Sequence, residues 1–416
     1  MNVLVLDGNE NQAVAATRSL ARAGHEVHVG AETAWSKAGW SRACRSTFSY
    51  PSPQHDVPAF VDRIVGAVRA RGASLVLPMT ERSMLPLSEA RERLRECGGS
   101  LVLPDHERVL AACDKTVTSR LARELGIAVP ETRVVGDDAV EARRIASDLA
   151  YPVVMKPAMS HEPGERRVRS TGAPAYAATP AEFLEEWRAM SARARTILVQ
   201  PFIPGGGAGY FALVRHGEVL TEFAHRRVRD VRPTGSGSAV RESVAMSPRL
   251  AEPSRALLRA LRWHGVAMVE YRERPDGGLV FLEVNGRFWN SLPLAIAAGV
   301  DFPRLLVDLA VTGTIAPQAA YQTGVRCRWW LGDVRHLLQV WQGPPRGYPA
   351  AFPGRLSTLV AFLTPRPGTV HDNFSLSDPL PELGDWLHFL GRKVPAALRR
   401  SGAVGIRDAE GRAAHS

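Results

Sequence analysis

The chain has 416 residues, of which 45% are apolar and 23% charged, with a net charge of +10. That length suits two or three globular domains of roughly 100–200 residues each, and the composition supplies a sizeable core. No apolar run approaches the ~18 residues of a membrane helix, and no basic leader or cleavage pattern opens the chain. Cys44, Cys97, Cys113 and Cys327 show neither CxxC nor Cys/His spacing, so a zinc site and a disulfide framework are set aside in favour of free thiols in the cytoplasm.

The positive charge is almost all arginine. The only lysines are Lys37, Lys115, Lys156 and Lys393, leaving 48 arginines. A compact ammonium on a flexible stem suits a phosphate oxygen approached from one side, so each retained lysine is a candidate phosphate contact. Lys37 and Lys393 sit in unremarkable polar surroundings. There is no aromatic-interleaved basic stripe, helix-turn-helix or zinc finger, so the charge does not point to nucleic acid.

In chain order, Val3–Leu6, His25–Val29, Ser74–Leu77 and Ser100–Leu103 read as strands separated by helices over 11–23, 60–70 and 85–97. Strands alternating with helices predict a mostly parallel sheet. The first strand is followed by Asp7-Gly8-Asn9 and not by GxGxxG, so no dinucleotide site is expected there. Residues 106–150 read as mainly helical, with Lys115 at a helix start. A strand at 151–156 leads into a Gly/Pro/Ser/Arg-rich stretch, 158–174, expected to be a mobile loop. A helix at 182–194 and a strand at 196–200 follow. A hairpin is expected around His216-Gly217, then a basic, Gly-rich loop over Arg226–Ser238 and a helix at 253–263. Beyond 315 the pattern is a helix around Trp329–Trp341, a strand-like run at 356–363, a helix at 383–398 and a disordered tail of about twelve residues.

The most informative segment is Val266–Arg287. Two β-rich runs flank Asp276-Gly277, a strong hairpin signal. A two-residue loop there sets Glu270 opposite Glu283, where directly facing side chains lie about 4.5–5.5 Å apart and like charges destabilise the sheet. A cation between them removes that cost. Asn285 shares the face of Glu283 by strand alternation. Two carboxylates and an amide oxygen are hard ligands of the kind Mg²⁺ takes, with phosphate oxygens completing its shell. An exposed acidic hairpin face is the other reading of the same residues.

The ordered set Lys115, Lys156, Gln200–Ile203, Glu270 and Glu283-x-Asn285-x-Arg287 resembles the ATP-grasp superfamily, in particular its stand-alone carboxylate–amine ligases, over about residues 1 to 312. The fold this implies is α/β: a Rossmann-like pre-ATP-grasp domain with a parallel sheet (1–107), then a two-lobed α+β ATP-grasp domain (108–312, with lobes at about 108–200 and 201–312), then a smaller C-terminal extension (313–416). The resemblance also implies roles. Lys115 and Lys156 would contact ATP phosphates. Gln200, Pro201, Phe202 and Ile203 would form the hinge that reads adenine. Glu270, Glu283 and Asn285 would hold Mg²⁺, with Mn²⁺ as a substitute. Arg287 would meet the transferred phosphoryl group, and the 158–174 loop would close as a lid. The lid departs from the family pattern in carrying several arginines, and Gln200 stands where Glu is frequent.

The activity implied is ATP-dependent conversion of a small carboxylate, such as an amino acid, to an acyl phosphate that an amine captures. Arg229, Arg232, Gly235, Ser236 and Ser238, with His225 beside them, are the expected carboxylate cradle; a solvated basic loop is the alternative. Glu242 is either a base for the amine or a partner for these arginines. His161 and His264 are further acid–base candidates. The partners expected are ATP and small carboxylate and amine substrates, with no nucleic acid and no membrane; a homodimer is compatible with the sequence. Two roles are open to the last hundred residues: completing the substrate pocket or forming a subunit contact. Two other activities fit the same set: a bicarbonate-using carboxylase, and a nucleotide-binding regulatory protein without chemistry.

Overall fold

The computed structural model describes residues 1–393. The tail expected to be disordered lies outside the described residues. The helix expected over 383–398 runs from Leu380 to Lys393.

The chain opens with a four-stranded parallel sheet in the order Ser46–Ser49, Glu26–Ala31, Asn2–Val5, Leu75–Leu77. Strands Asn2–Val5 and Leu75–Leu77 are mainly apolar runs because both faces are covered. Val3, Val5, Val27 and Val29 pack towards helix Asn11–Arg22 and the Phe302–Thr312 helix region. Leu4, Leu6 and Val76 pack against Phe60, Val61 and Ile64 of helix Val57–Arg71. That helix is delimited as its sequence dictates: the Asp56 carboxylate accepts from Ala59 N at 3.0 Å, Pro58 lies in the first turn, and Gly72 ends it at φ 55°. Ser100 makes only an isolated bridge to Leu75, not the strand expected at 100–103. The helix expected at 85–97 is broken at Ala90 into Glu81–Glu89 and Arg91–Glu96.

A second sheet, antiparallel, has the order Arg133–Val135, Ile197–Pro201, Val153–Pro157, Ala175–Ala177. The first of these strands interrupts a region that reads as helical, because only Val135 of the three residues is buried. Helices Ala139–Asp148 and Pro180–Ser191 cover one face through Ile145, Phe183 and Trp187.

The third sheet has seven strands, in the order Leu279–Asn285, Gly265–Glu273, Gly206–Arg215, Glu218–Arg232, Ser236–Ser243, Arg326–Arg328, Val370–His371. Three sequence expectations change here. Arg226–Ser238 is not a loop: it forms the arms and tip of a hairpin between the Glu218–Arg232 and Ser236–Ser243 strands. Residues 356–363 are not a strand but part of helix Arg355–Leu363; their apolar run lacks the two-residue alternation of a half-buried strand. The residues beyond 313 supply two strands to this sheet, so they are built into it and not appended to it.

Buried polar contacts also fasten those late residues to the start of the chain. Lys37 is 2% exposed, its ammonium 2.9 Å from Asp385 and bonded to Asn11. Asp378 accepts from Arg18 at 2.8 Å and from Ser41 at 2.6 Å. Asp372 accepts from Asn11 and pairs with Arg241, both partners being fully buried. Lys37 thus makes a buried ion pair, where the sequence shows only unremarkable polar surroundings. Cys44, Cys97, Cys113 and Cys327 are all free thiols. Among the described residues no helix is long and apolar enough to cross a membrane.

Candidate nucleotide and metal site

The second and third sheets face each other across a cavity of about 660 Å³. Lys115, Lys156, the Gln200–Ile203 segment, Glu270, Glu283, Asn285 and Arg287 all line it.

Lys115 is placed by a cap. The Asp114 carboxylate accepts from Thr116 N at 2.7 Å, which makes Lys115 the first residue of helix Lys115–Glu124. A cation at a helix N-terminus is unfavourable by itself. Glu283 Oε2, 3.2 Å from the ammonium, offsets this, and Ser160 of the 158–174 segment accepts from it at 3.3 Å. Lys156 comes from the Val153–Pro157 strand. Among the described residues its ammonium has no hydrogen-bond or ion-pair partner. Burial, and then the nearby charge of Lys115, bring its pKa down to about 8.

Glu270 and Glu283 are paired in register, as expected. The turn that produces this register is not the expected one. The strands end at Glu273 and resume at Leu279, and an irregularity between Glu270 and Tyr271 shifts the ladder by one residue. The longer turn and the bulge compensate, so the two carboxylates still oppose each other. Their repulsion is relieved by protein cations: Glu283 by Lys115, and Glu270 by Arg227 at 2.6 Å. Burial alone would raise the Glu283 carboxyl, but Lys115 and Lys156 hold it well below the usual carboxylate range. Asn285 donates to Glu283 at 3.1 Å and accepts from Arg287 at 3.1 Å. Gly286 between them is required by space, since a Cβ there would lie 2.2 Å from the Trp263 ring. Among the described residues no group of three or more His, Cys, Asp or Glu side chains is placed to hold a metal. Glu270, Glu283 and the Asn285 amide oxygen are hard oxygen donors that line the cavity together.

Arg227 was not singled out from the sequence. It reaches Glu270 across the intervening Gly206–Arg215 strand, where a Cβ on Gly207 would sit 2.8 Å from the Arg227 side chain. The paired small residues Gly207 and Gly209 were the available signal. Glu81, at the start of its helix, was also missed. It is 6% exposed and lies 3.8 Å from Arg287 and 3.5 Å from His161 of the 158–174 segment. That segment holds a two-stranded ribbon, His161–Glu162 with Arg169–Ser170, and two backbone bonds join it to residues 53 and 57.

Gln200, Pro201, Phe202 and Ile203, expected to form a hinge, line the cavity. The Gln200 amide is engaged with Thr132 Oγ1 at 2.8 Å. Phe202 packs with Tyr176 and Tyr348, the last from the C-terminal part, at centroid distances of 6.3 and 5.7 Å. The hairpin tip closes the far side, where Tyr176 donates to Thr234 O at 3.0 Å.

Of the expected carboxylate cradle, Arg232, Gly235, Ser236, Ser238 and His225 line the cavity, and the buried Ser238 hydroxyl has no hydrogen-bond partner among the described residues. Arg229 does not line it. Register irregularities on either side turn Arg229 to the buried Asp333, which also receives Arg328 at 2.7 Å. His225 is 1% exposed, stacked on Phe211 and 3.2 Å from Ser291 Oγ. Burial, then Arg227 and Arg241, lower its pKa to about 3, so it is neutral at physiological pH. Glu242 is an arginine partner, held by Arg326 at 2.8 Å and Arg226 at 3.2 Å. His264 stacks on His216 at 4.3 Å, outside this cavity.

Residues 193–332 match the family described as "ATP-grasp in the biosynthetic pathway with Ter operon". Among curated proteins, the chain is 29% identical over 219 residues to a D-alanine–D-alanine ligase of Stutzerimonas stutzeri. That match spans 48% of this chain and 64% of the ligase. Among solved structures, the L-amino acid ligase of Bacillus licheniformis superposes with a TM-score of 0.57 at 18% identity, over 76% of this chain and 77% of the ligase. Biotin carboxylase of Campylobacter jejuni, solved as a β,γ-ATP complex, superposes at 0.61 and 15% identity, over 78% and 74%. At those identities the structural likenesses speak for the fold.

Proposed function

We propose that this chain, which carries an ATP-grasp domain, is an ATP- and Mg²⁺-dependent carboxylate–amine ligase. The observation that carries the proposal is convergence. Two of only four lysines, from separate elements, meet two register-paired carboxylates, an amide and Arg287 on one cavity wall.

Phosphoryl transfer needs mainly positioning and charge neutralisation. Lys115 and Lys156 would take the nucleotide phosphates, with Lys156 gaining the anionic partner it lacks. Glu270, Glu283 and Asn285 would hold Mg²⁺, which when bound would screen phosphate charge. For that to happen, Arg227 and Lys115 must share or give up their carboxylates, which frees both cations for phosphate. Arg287, tethered by Asn285 and Glu81, is set to meet the transferred group. Arg232 and the Gly235–Ser238 backbone and hydroxyls would orient the carboxylate, and Phe202 and Tyr348 would enclose the base. The lid segment, bonded through Ser160 to Lys115, would exclude water from the acyl phosphate.

The test is Mg²⁺-dependent ADP release with pools of amino acids and small carboxylates, with and without hydroxylamine. A hydroxamate from one pool reports an acyl phosphate and identifies the donor. ADP release that depends on bicarbonate alone would replace this reading by the carboxylase one. ATP binding without ADP release from any pool would leave a non-catalytic nucleotide binder.

A further inference from the structure

Three buried polar atoms without a hydrogen-bond partner among the described residues belong to side chains at one end of the large cavity: His225 Nδ1, Ser238 Oγ and Trp289 Nε1. Each of these residues is at least nine-tenths buried. His225 and Trp289 pack on the same ring, Phe211, at centroid distances of 4.6 and 4.5 Å. The buried Arg241 joins Ser238 to them, since its guanidinium donates to the carbonyl oxygens of Ser238 at 3.1 Å and of Asn290 at 3.4 Å. Asp372 in turn holds that guanidinium, so the wall is set before any ligand arrives. Buried polar groups are ordinarily paired, and three orphans in one wall mark a place where a ligand supplies the partners.

The wall stands beside the metal donors. Gly209 is the register partner of both His225 and Glu270, which puts these two on one face, two strand spacings or about 9–10 Å apart. Gly209 places no side chain between them, and a Cβ on it would lie 3.1 Å from His225 Nε2. A carboxyl group phosphorylated beside Glu270 therefore carries its α-substituent towards His225.

The chemistry here is neutral and rich in donors. The Trp289 indole can only donate. His225 Nε2 is 3.2 Å from Ser291 Oγ, and whichever of the two donates, the serine keeps hydrogen-bonding capacity. Burial, then Arg227 and Arg241, keep the imidazole uncharged, and the same surroundings oppose any other cation. Among the described residues, the carboxylates that line the cavity are Glu270 and Glu283, the pair proposed for the metal. Glu81, nearby, is engaged by Arg287 and His161. An ammonium has three donors and no acceptor, so it meets no free anion here and cannot satisfy the Trp289 N–H. A hydroxyl or amide oxygen can.

We propose that the donor acid is a 2-hydroxy acid or an N-acylated amino acid and not a free amino acid, its uncharged α-substituent lodging among Ser238, Trp289 and Ser291. The inference rests on the ligase reading and names the substrate class of that site. A wall built to hydrogen-bond such a group rejects an acid lacking it strongly, because the analogue leaves buried polar atoms unpaired.

The full chain is assayed for Mg²⁺-dependent ADP release and hydroxamate formation with three pools built on the same carbon skeletons: free amino acids, the corresponding 2-hydroxy acids and the N-acetyl amino acids. The best hydroxy or N-acetyl acid should exceed its free amino acid in kcat/KM by at least ~100-fold, and the pool that responds tells which of the two groups is read. Ser238→Ala and Ser291→Ala should each lower that ratio at least ~5-fold, the scale of one hydrogen bond. MgADP affinity by calorimetry should stay at the wild-type value in both, which also verifies folding. A free amino acid turned over as well as its hydroxy and N-acetyl counterparts, or a ratio that neither variant changes, overturns the inference and leaves the ligase standing. No ADP and no hydroxamate from any pool, by a chain that binds MgADP, removes the ligase reading and this inference with it.

Discussion

Lys156 offers a test of the nucleotide site that needs no knowledge of the substrates. Its ammonium faces Lys115 with no anion in contact, and its pKa falls from the ordinary 10.5 to about 8. In the free protein about nine-tenths of Lys156 is protonated at pH 7 and about one-tenth at pH 9. A phosphate oxygen at the ammonium raises the pKa again, so the bound state keeps its proton through that range. The sign follows: nucleotide affinity is full below pH 8 and falls above it. From pH 7 to pH 9 the loss is about tenfold, or ~1.4 kcal/mol. Calorimetry with ADP, in EDTA so that no metal competes, measures it directly. Near pH 8 binding should take up about half a proton, seen as a dependence of the heat on buffer ionisation enthalpy. Lys156→Arg keeps its charge throughout and should lose the pH dependence, with weaker binding because the guanidinium is wider and planar. Affinity that is flat between pH 7 and 9, or an equal slope in Lys156→Arg, would refute the argument that Lys156 is the phosphate contact.

Other outcomes follow from the same geometry. Glu283→Gln or Asn285→Ala should cut Mg²⁺-dependent ADP release by at least ~100-fold, the scale of one lost charge-stabilising group, with unfolding midpoints little changed; turnover within threefold of wild type in both would remove the metal assignment. Arg227→Ala leaves Glu270 facing Glu283 without its cation and should raise the Mg²⁺ concentration dependence of activity, whereas Arg229→Ala, whose partner is Asp333, should leave ADP affinity unchanged. Asp385→Asn strips the anion from buried Lys37 and should cost about 3–5 kcal/mol in urea unfolding.

Much of this was legible in the sequence because it is local. Strand alternation and an expected two-residue turn set Glu270 opposite Glu283, and the pairing holds because a longer turn and a bulge, which no local pattern announces, compensate each other. Scarcity of lysine singled out Lys115 and Lys156, yet the same scarcity undervalued Lys37, whose partner Asp385 lies 348 residues away. What sequence reading missed is what long-range packing decides. Arg227 acts across a strand that only glycines make passable, Glu81 reaches the site from the Glu81–Glu89 helix beside the first sheet, and Tyr348 arrives from the C-terminal part. Arg229 shows the converse. It has the same residue type and the same strand as Arg227, but a register irregularity turns it to Asp333 and away from the cavity.

The ion pairs of the site share one logic. Each carboxylate that would serve magnesium is held by a cation that would serve phosphate, Glu283 by Lys115 and Glu270 by Arg227, and the neutral Asn285 amide oxygen likewise accepts a hydrogen bond from Arg287. The pairs limit the cost of burying these charges before ligand arrives. A metal nucleotide brings both signs at once, a dication for the carboxylates and an oligophosphate for the cations, so it can replace all three contacts without stranding a charge. Free Mg²⁺ would displace Lys115 and Arg227 with nothing to receive them, and free nucleotide would draw those cations off Glu283 and Glu270. Binding of metal and nucleotide should therefore be mutually dependent, each strengthening the other through the same four side chains. Independent binding of the two, measured by titrating Mg²⁺ with and without ADP, would show that the pairs are not exchanged and that the nucleotide lies elsewhere on the cavity wall.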